Sequence, residues 1–358
     1  MIYIFCFILS VCISYIAERK LERLQSAFFL FVISASLPII LAGLRDVSVG
    51  IDVTWYVTPP FYAAQKCSSL SSFMKYMVED DAGFFIYVYI ITKLFDSLIV
   101  LMTLNHLIII TPILYILYYY KKNNPMFSIT LGYAIWLLST YNMTLCVVRQ
   151  SMALGFGLLA IVFLFRKKYL LCGVMAFLSY EFHHSMILFL SIIILLYLVR
   201  IKISSRKKYE LIASIICFSS FIGTFLINYF LGFVNEKYAE RVEDALINEG
   251  GRLTVVFWFI LALLPFYFVY RRKVNIHTDT LLYFFPLIGA VLLVLALHAM
   301  YIGRLAYPFS TLTAITIPCL PLKRSSRTII LGLFVLYWIV QYPIHNAWET
   351  FPYIFTSF

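Results

Sequence analysis

Residues 28–56 read FFLFVISASLPIILAGLRDVSVGIDVTWY, a long apolar run that ends abruptly in a polar segment. The apolar run, Phe28–Leu44, is long enough to form most of a membrane-spanning helix, because a span needs roughly 17–25 residues. The polar segment places charged and aromatic side chains at the expected membrane boundary: Arg45, Asp46, Asp52, Trp55 and Tyr56. An arginine in such surroundings can bind an anionic, sugar-bearing lipid, and it can equally be an interface anchor.

The composition of the whole chain indicates its class. Of the 358 residues, 63% are hydrophobic and only 13% are charged. A soluble protein could not bury so much apolar surface, so the sequence predicts a polytopic membrane protein. The net charge of +11 comes largely from short loops between apolar runs, which the membrane class explains without a nucleic-acid partner. The seven cysteines lack metal-ligand spacing, so we expect no metal site and no disulfide framework. No cofactor is expected.

Apolar runs of suitable length predict about twelve membrane-spanning helices. The predicted spans are 2–17, 24–44, 98–120, 126–141, 147–165, 169–181, 185–199, 209–231, 253–270, 280–298, 305–320 and 328–342. Segment 83–97 is also apolar but carries two charges, so we expect a re-entrant or interfacial helix there. Amphipathic helices are expected in the outer loops 45–97 and 233–252, which would cover the site. The predicted fold is one all-α integral membrane domain over residues 1–358.

The distribution of Lys and Arg among the loops predicts the orientation in the membrane. Most basic residues fall in alternate loops, namely 18–23, 121–125, 166–168, 200–208, 271–278 and 321–327. The positive-inside rule puts these loops in the cytoplasm. Both termini and the two long loops are therefore expected on the outer face.

Arginines at the predicted outer helix ends define a candidate anion site. A charge at mid-bilayer costs roughly 2.5–3.5 kcal/mol, so the placement of ionisable groups is informative. Four separate outer segments each deliver one arginine: Arg45, Arg149, Arg252 and Arg304. The guanidinium fork matches phosphate oxygens, so we expect these residues to bind a diphosphate. The alternative is that each side chain only anchors its helix at the interface.

The pair His183-His184, which follows Glu181, is the main acid–base candidate, because imidazole exchanges protons near neutral pH. Asp52 is a second candidate, as a general base, an arginine partner or a helix N-cap. The predicted catalytic residues are His183, Asp52 and Glu181. The predicted substrate-binding residues are Tyr56, Gln150, His184, Ser185, His298 and Tyr301. His106 is a further histidine near the outer face.

Several short motifs occur in a characteristic order along the chain. They are Gly43-Leu-Arg45, Gly50-Ile-Asp52 with Tyr56, the stretch AGFFIYVYIITKLF at 82–95, Arg149-Gln150, His183-His184-Ser185, and Arg304 with Tyr307-Pro308. In this order the chain resembles the EpsG/Wzy-like family of bacterial polysaccharide repeat-unit polymerases. The doubled histidine departs from the family pattern, so which imidazole corresponds to the family's histidine stays open.

The resemblance implies a metal-independent membrane glycosyltransferase with a GT-C-like architecture. Such an enzyme moves a growing O-antigen, capsule or exopolysaccharide chain from undecaprenyl diphosphate to the terminal sugar hydroxyl of a new lipid-linked repeat. The implied location is the bacterial inner membrane, with the active site on the periplasmic or extracellular side. Implied partners are the lipid-linked oligosaccharide, bilayer lipid, a chain-length regulator and a flippase.

Two other classes of membrane protein are compatible with about twelve spans. A transporter or flippase of lipid-linked oligosaccharide should carry its charges near mid-membrane and often shows repeated halves. A sugar O-acyltransferase should present its histidine and arginines where its acyl donor arrives, often on the cytoplasmic face. The charges predicted at the outer boundary favour the polymerase.

Overall fold

A computed structural model describes residues 1–77, 81–199, 213–218, 249–272, 281–297 and 300–356. Within these ranges the chain is helical, and the one pairing of extended backbone is an antiparallel bridge between Arg45 and Phe355. The helices form two compact units, one of residues 1–190 with 327–358 and one of residues 191–326. The prediction of a single domain stays a prediction.

The first unit contains most of the helices. They are α1 Ile2–Arg19, α2 Leu24–Gly43, α3 Ile51–Tyr56, α4 Thr58–Lys66, α5 Leu70–Tyr76, α6 Ala82–Phe95, α7 Leu98–Asn123, α8 Ile129–Trp136, α9 Asn142–Cys146, α10 Val148–Phe165 and α11 Tyr169–Phe182. A π-helical turn, Leu137–Tyr141, joins α8 to α9. The next helix, α12 Met186–Val199, runs from this unit into the second.

The second unit contains α13 Glu249–Arg272, α14 Leu281–Ala296, α15 Met300–Thr311 and α16 Thr313–Cys319. Ala262 of α13 packs with Leu287 and Ala290 of α14 in a buried apolar cluster. The helix α17 Arg324–Ile339 returns the chain to the first unit. It continues into a π-helical turn, Val340–Ile344, and a short 3₁₀ turn, Ala347–Glu349.

Six helices are long and apolar enough to cross a membrane: Ile2–Arg19, Gln25–Gly43, Leu98–Asn123, Val148–Phe165, Gly251–Phe268 and Arg324–Ile344. Four shorter apolar helices accompany them: Ala82–Phe95, Tyr169–Phe182, Met186–Leu198 and Leu282–Ala296. The chain is therefore an all-helical polytopic membrane protein within the described ranges, whereas the number of twelve spans stays a prediction. Most of the predicted span 209–231 and of the outer loop 233–252 lies outside the described residues.

Some local expectations differ from the observed helices. The predicted span 305–320 is divided between α15 and α16, with Leu312 at the join. Of the three alternatives for Asp52, the helix N-cap is wrong, because α3 has Gly50 as its N-cap and Asp52 lies in its first turn. The outer loop 45–97 contains the short helices α4 and α5, and α4 includes Pro59 and Pro60 in its first turn.

Prolines inside the spans free backbone carbonyls, which neighbouring helices then contact. Pro38 has no N–H to donate to Ser34 one turn earlier, and the Ser34 carbonyl instead accepts from Ser10 Oγ at 3.0 Å. Pro112 likewise leaves the Ile108 carbonyl without an N–H donor from its own helix. Gly155 of α10 packs there so closely that an added Cβ would lie 2.7 Å from that oxygen. These contacts join α1 to α2 and α7 to α10.

The C-terminal segment after α17 lies over the loop that follows α2. The Asp46 N–H donates to the Ile354 carbonyl at 2.8 Å, and the Thr356 N–H donates to the Leu44 carbonyl at 3.0 Å. The Tyr3 hydroxyl donates to the Thr350 carbonyl at 2.8 Å, which ties the segment to α1 as well. The two ends of the chain therefore meet at the loop that carries Arg45.

Candidate functional site

The carboxylate of Asp81, which lies directly before α6, contacts three cationic or titratable side chains. Its Oδ2 accepts from Arg149 Nη1 at 2.9 Å and lies 3.1 Å from His183 Nδ1. Its Oδ1 accepts from the His184 backbone N–H at 3.2 Å and lies 3.3 Å from His184 Nδ1. We call Asp81, Arg149, His183 and His184 the Asp81 cluster. It forms where α6 and α10 begin and α11 ends.

The sequence around Asp81 explains why its carboxylate is available to these neighbours. Asp81 is the N-cap residue of α6, a position where aspartate usually accepts from its own helix. Here it makes no side-chain capping bond. Gly83 permits the close approach, since a Cβ there would lie 2.7 Å from the Cβ of Glu181 near the end of α11. The start of α6 is thereby held against the turn that carries both histidines.

Arg149 lies in the first turn of α10, where the positive end of the helix dipole disfavours a cation and favours an anion. Its guanidinium carbon lies 4.7 Å from the ring centre of Tyr56 on α3 and 5.9 Å from that of Phe84 on α6. Such cation–π contacts hold the guanidinium without consuming its hydrogen-bond donors. Because its side chain is 13% exposed, Arg149 is partly accessible from outside.

The electrostatics of the cluster keep Asp81 ionised. Burial raises the pKa of the Asp81 carboxyl. The hydrogen bond and charge of His183, the charge of Arg149 and the His184 backbone N–H act against burial, and the net effect is a lowered pKa. A permanent carboxylate therefore faces both imidazoles, and it favours the state in which each Nδ1 carries a proton.

The two imidazoles of the cluster are partly open to solvent. The His183 side chain is 23% exposed and the His184 side chain is 32% exposed. With Nδ1 directed at Asp81, Nε2 of His183 is the ring atom left for a substrate. The His184 ring packs edge-on against Tyr180, with centroids 4.3 Å apart. The arrangement can take up a proton from a hydroxyl beside a guanidinium that can hold an anion.

Arg45 occupies a separate and fully buried position. It is 1% exposed, its Nη2 donates to the Leu145 carbonyl at 2.9 Å, and its Nη1 lies 3.4 Å from His106 Nε2. In the part of the chain that the structure describes, no carboxylate pairs with Arg45, and its Nε has no partner. Gly50, at φ +95°, lies so close to Leu145 that a Cβ would meet that residue's carbonyl.

The remaining predicted residues of the first unit are close in sequence to Arg45 or to the residues of the Asp81 cluster. Asp52 is half-buried in the first turn of α3. Glu181 is half-buried beside Gly83. Gln150 is 3% exposed on α10. Ser185 Oγ is buried without a hydrogen-bond partner among the described residues.

The second unit carries the other predicted residues. Arg252 is exposed near the start of α13, and Arg304 is half-buried on α15. Tyr301 is on α15 as well, and His298 lies outside the described residues. The structure therefore brings together Arg149, His183, His184 and Tyr56, and it holds Arg45 against other partners. A diphosphate-binding role for Arg45, Arg252 and Arg304 stays a prediction.

Asp81 was not among the site residues predicted from the sequence. Its signal was present, because three acids in a row, Glu79 to Asp81, directly precede an apolar helix on the same predicted face as Arg149 and His183. An aspartate at this position is normally interpreted as a helix cap. No group of three potential metal ligands with suitable geometry occurs among the residues that the structure describes.

Comparison with known proteins identifies the family. The sequence model of the EpsG family matches residues 27–355, which is nearly the whole chain. No curated protein and no solved structure matches. The family match includes the loop after α2, the Asp81 cluster and the C-terminal segment. The chain therefore belongs to the EpsG family, a Wzy-like family of polysaccharide polymerases.

Proposed function

We propose that this protein polymerises lipid-linked oligosaccharide repeats by glycosyl transfer at the outer face of the bacterial inner membrane. The donor is a growing glycan on undecaprenyl diphosphate, and the acceptor is the terminal sugar hydroxyl of a new lipid-linked repeat. The single observation that carries the proposal is the Asp81 cluster. It places a base candidate and a guanidinium on one carboxylate at a partly exposed junction of helix ends.

In the proposed reaction, the acceptor hydroxyl oxygen attacks the anomeric carbon of the donor sugar. The bond from that carbon to the diphosphate oxygen breaks, and its electron pair leaves with the diphosphate. His183 Nε2 takes the hydroxyl proton, which is general-base catalysis. Arg149 and the N-terminus of α10 stabilise the negative charge that develops on the departing diphosphate.

The proposed location on the outer face rests on the charge distribution of the loops. The cluster lies at helix ends opposite to the basic loops 121–125 and 166–168, which follow α7 and α10. The positive-inside rule puts those loops in the cytoplasm, so the cluster is proposed to face outward. In that position it would meet lipid-linked repeats after a flippase has delivered them.

The other predicted residues have proposed supporting roles. Arg45, Arg252 and Arg304 stay predicted diphosphate-binding residues. Asp52 and Glu181 are the alternative bases, and Tyr56, Gln150, His184, Ser185, His298 and Tyr301 are proposed to contact the glycan or the lipid. No cofactor is proposed. A chain-length regulator is a proposed partner in the membrane.

Replacing Arg149 by alanine tests the proposal in cells that lack the native copy of this gene. We expect Arg149→Ala to leave single-repeat glycans on the lipid, because the leaving diphosphate loses its main cation. The matched control is Arg166→Ala at the opposite end of the same helix, where Nη1 contacts the Tyr115 hydroxyl and the side chain is exposed. This control should produce wild-type ladders at the same protein level.

The same cells separate the polymerase from its rivals. Loss of a flippase would remove glycans from the outer face altogether, and loss of an acyltransferase would leave full-length chains without acyl groups. Wild-type ladders from Arg149→Ala at equal protein level would contradict the proposed function.

A further inference from the structure

We propose that Asp81 competes with the donor diphosphate for Arg149, so that donor binding moves Arg149 onto the lipid and leaves the carboxylate to His183 and His184. The inference rests on the proposed function and concerns the order of its events. Asp81 would act as a positioning residue that links occupancy of the donor site to the readiness of the base.

The geometry that supports this exchange is the sharing of a single oxygen atom. Asp81 Oδ2 lies 2.9 Å from Arg149 Nη1 and 3.1 Å from His183 Nδ1. Two donors that share one acceptor oxygen each weaken the other's bond. Withdrawal of the guanidinium therefore strengthens the contact between the carboxylate and the imidazole.

The position of Arg149 allows an anion to displace Asp81 without unfolding. Its side chain is 13% exposed, and that of Asp81 is 9% exposed. Arg149 is in the first turn of α10, so an incoming diphosphate gains from the helix dipole as well as from the guanidinium. The rings of Tyr56 and Phe84 stay beside the guanidinium and limit how far it moves.

The charges around His183 determine the consequence of the exchange. Two charged neighbours come from other helices, namely Asp81 at the start of α6 and Arg149 on α10. The end of α11 and the turn after it, which carry His183, also carry Tyr180, Glu181 and His184. Tyr56 of α3 lies against Arg149. Without the donor, the guanidinium offsets the carboxylate beside His183. With a diphosphate bound, the guanidinium is neutralised by the lipid. The carboxylate then holds His183 Nδ1 without the competing guanidinium, so the hydrogen bond between them strengthens.

This arrangement predicts opposite effects on binding and turnover when the Asp81 charge is removed. Asp81→Asn removes the competitor, so Arg149 should bind the diphosphate lipid about 10- to 100-fold more tightly, as expected for one charge-assisted contact. The same change takes the carboxylate from His183 and should lower kcat by about 100-fold or more. A merely structural role for Asp81 would weaken both properties together.

The experiment measures binding of undecaprenyl diphosphate, with uncharged undecaprenol as the reference lipid, to the full-length protein in nanodiscs. The matched control is Asp46→Asn, because the Asp46 carboxylate lies on the same predicted face but binds Ser48. This control should change neither diphosphate binding nor kcat. Tighter binding by Asp81→Asn, together with slower turnover, supports the proposal. Equal or weaker binding by a folded Asp81→Asn protein overturns it.

A second measurement uses the wild-type protein and does not depend on the folding of a variant. Histidine-selective NMR at fixed pH, assigned with His183→Gln, follows the Nδ1–H resonance of His183, which moves downfield when its hydrogen bond to Asp81 strengthens. Addition of undecaprenyl diphosphate should move this resonance downfield, and undecaprenol should not. An unchanged resonance at saturating diphosphate lipid would overturn the exchange.

Arg149→Gln distinguishes the failure of this inference from the failure of the proposed function. If Arg149→Gln neither weakens diphosphate binding nor slows polymerisation, the proposed function itself fails. If Arg149→Gln weakens binding but Asp81→Asn does not tighten it, only the competition fails. When Asp81→Asn is combined with Arg149→Gln, its effect on diphosphate binding should disappear, because Arg149 is no longer there to be competed for.

Discussion

Two pairs of arginine and histidine in this molecule look alike in the sequence and differ completely in the structure. Arg149 and His183 share the Asp81 carboxylate and are partly exposed. Arg45 and His106 contact each other and a backbone carbonyl, and they are 1% and 0% exposed. The carboxylate and the access to solvent distinguish a site that can do chemistry from one that holds the chain together.

In the buried pair, Arg45 has a structural role: it connects separate segments of the chain. Arg45 binds the Leu145 carbonyl just before α10, and its own backbone pairs with the C-terminal segment at Phe355. It thereby joins the loop after α2, the turn before α10 and the C-terminus. We expect its removal to affect folding first and binding second.

The largest expected effect comes from the exposed pair. His183→Gln removes the ring that receives the hydroxyl proton, so the polymerisation rate should fall by about 10²–10⁴. The measurement is the rate of chain growth by the purified protein in liposomes. His345→Gln, in the C-terminal segment, is the control and should stay near the wild-type rate. A His183→Gln protein with near-normal rate would assign the proton transfer to another group.

The next effect concerns the buried pair. Arg45→Met leaves the Leu145 carbonyl without its donor in a buried place, which costs about 1–3 kcal/mol. We expect a lower unfolding temperature in detergent and less protein in the membrane. Arg149→Met is the matched variant and should lower the unfolding temperature less, because His183 and His184 still contact Asp81, while it loses activity. The comparison fails if Arg45→Met is as stable as the wild type.

A glycine tests whether the approach of α6 to α11 matters. In Gly83→Ala the new Cβ would lie 2.7 Å from Glu181 Cβ and 3.1 Å from that residue's carbonyl. Overpacking of this kind costs about 1–3 kcal/mol, and relief by helix separation would draw Asp81 away from His183. Activity should fall roughly 10-fold, as expected if the displacement of Asp81 removes about 1.4 kcal/mol of transition-state stabilisation. Gly173→Ala on α11 has nothing within 4 Å and should be neutral.

The smallest effect concerns the aromatic support of Arg149. Tyr56→Leu removes the ring 4.7 Å from the guanidinium, a contact worth about 1 kcal/mol, or roughly fivefold in donor affinity. Tyr56→Phe keeps a ring and should bind the donor lipid almost normally. Equal losses in both variants would show that the hydroxyl matters and not the ring.

The sequence predicted the position of Arg149, His183 and His184 relative to the helices, because such positions depend on local pattern. The boundary position of Arg149 and of the two histidines follows from where apolar runs end, and the structure has them at helix ends. Asp81 was missed because its neighbours are 68 and 102 residues away along the chain. The same pattern could not separate Arg45 from Arg149, since burial depends on which segments cover a loop.

By itself, the sequence determined that this is an α-helical membrane protein. Hydrophobicity and charge act locally and can be read in order along the chain. Only the tertiary structure decided that Asp81 joins Arg149 to His183, and that the C-terminal segment covers Arg45. These contacts depend on packing between distant segments, such as the close approach of Gly83 to Glu181. No local pattern encodes such an approach.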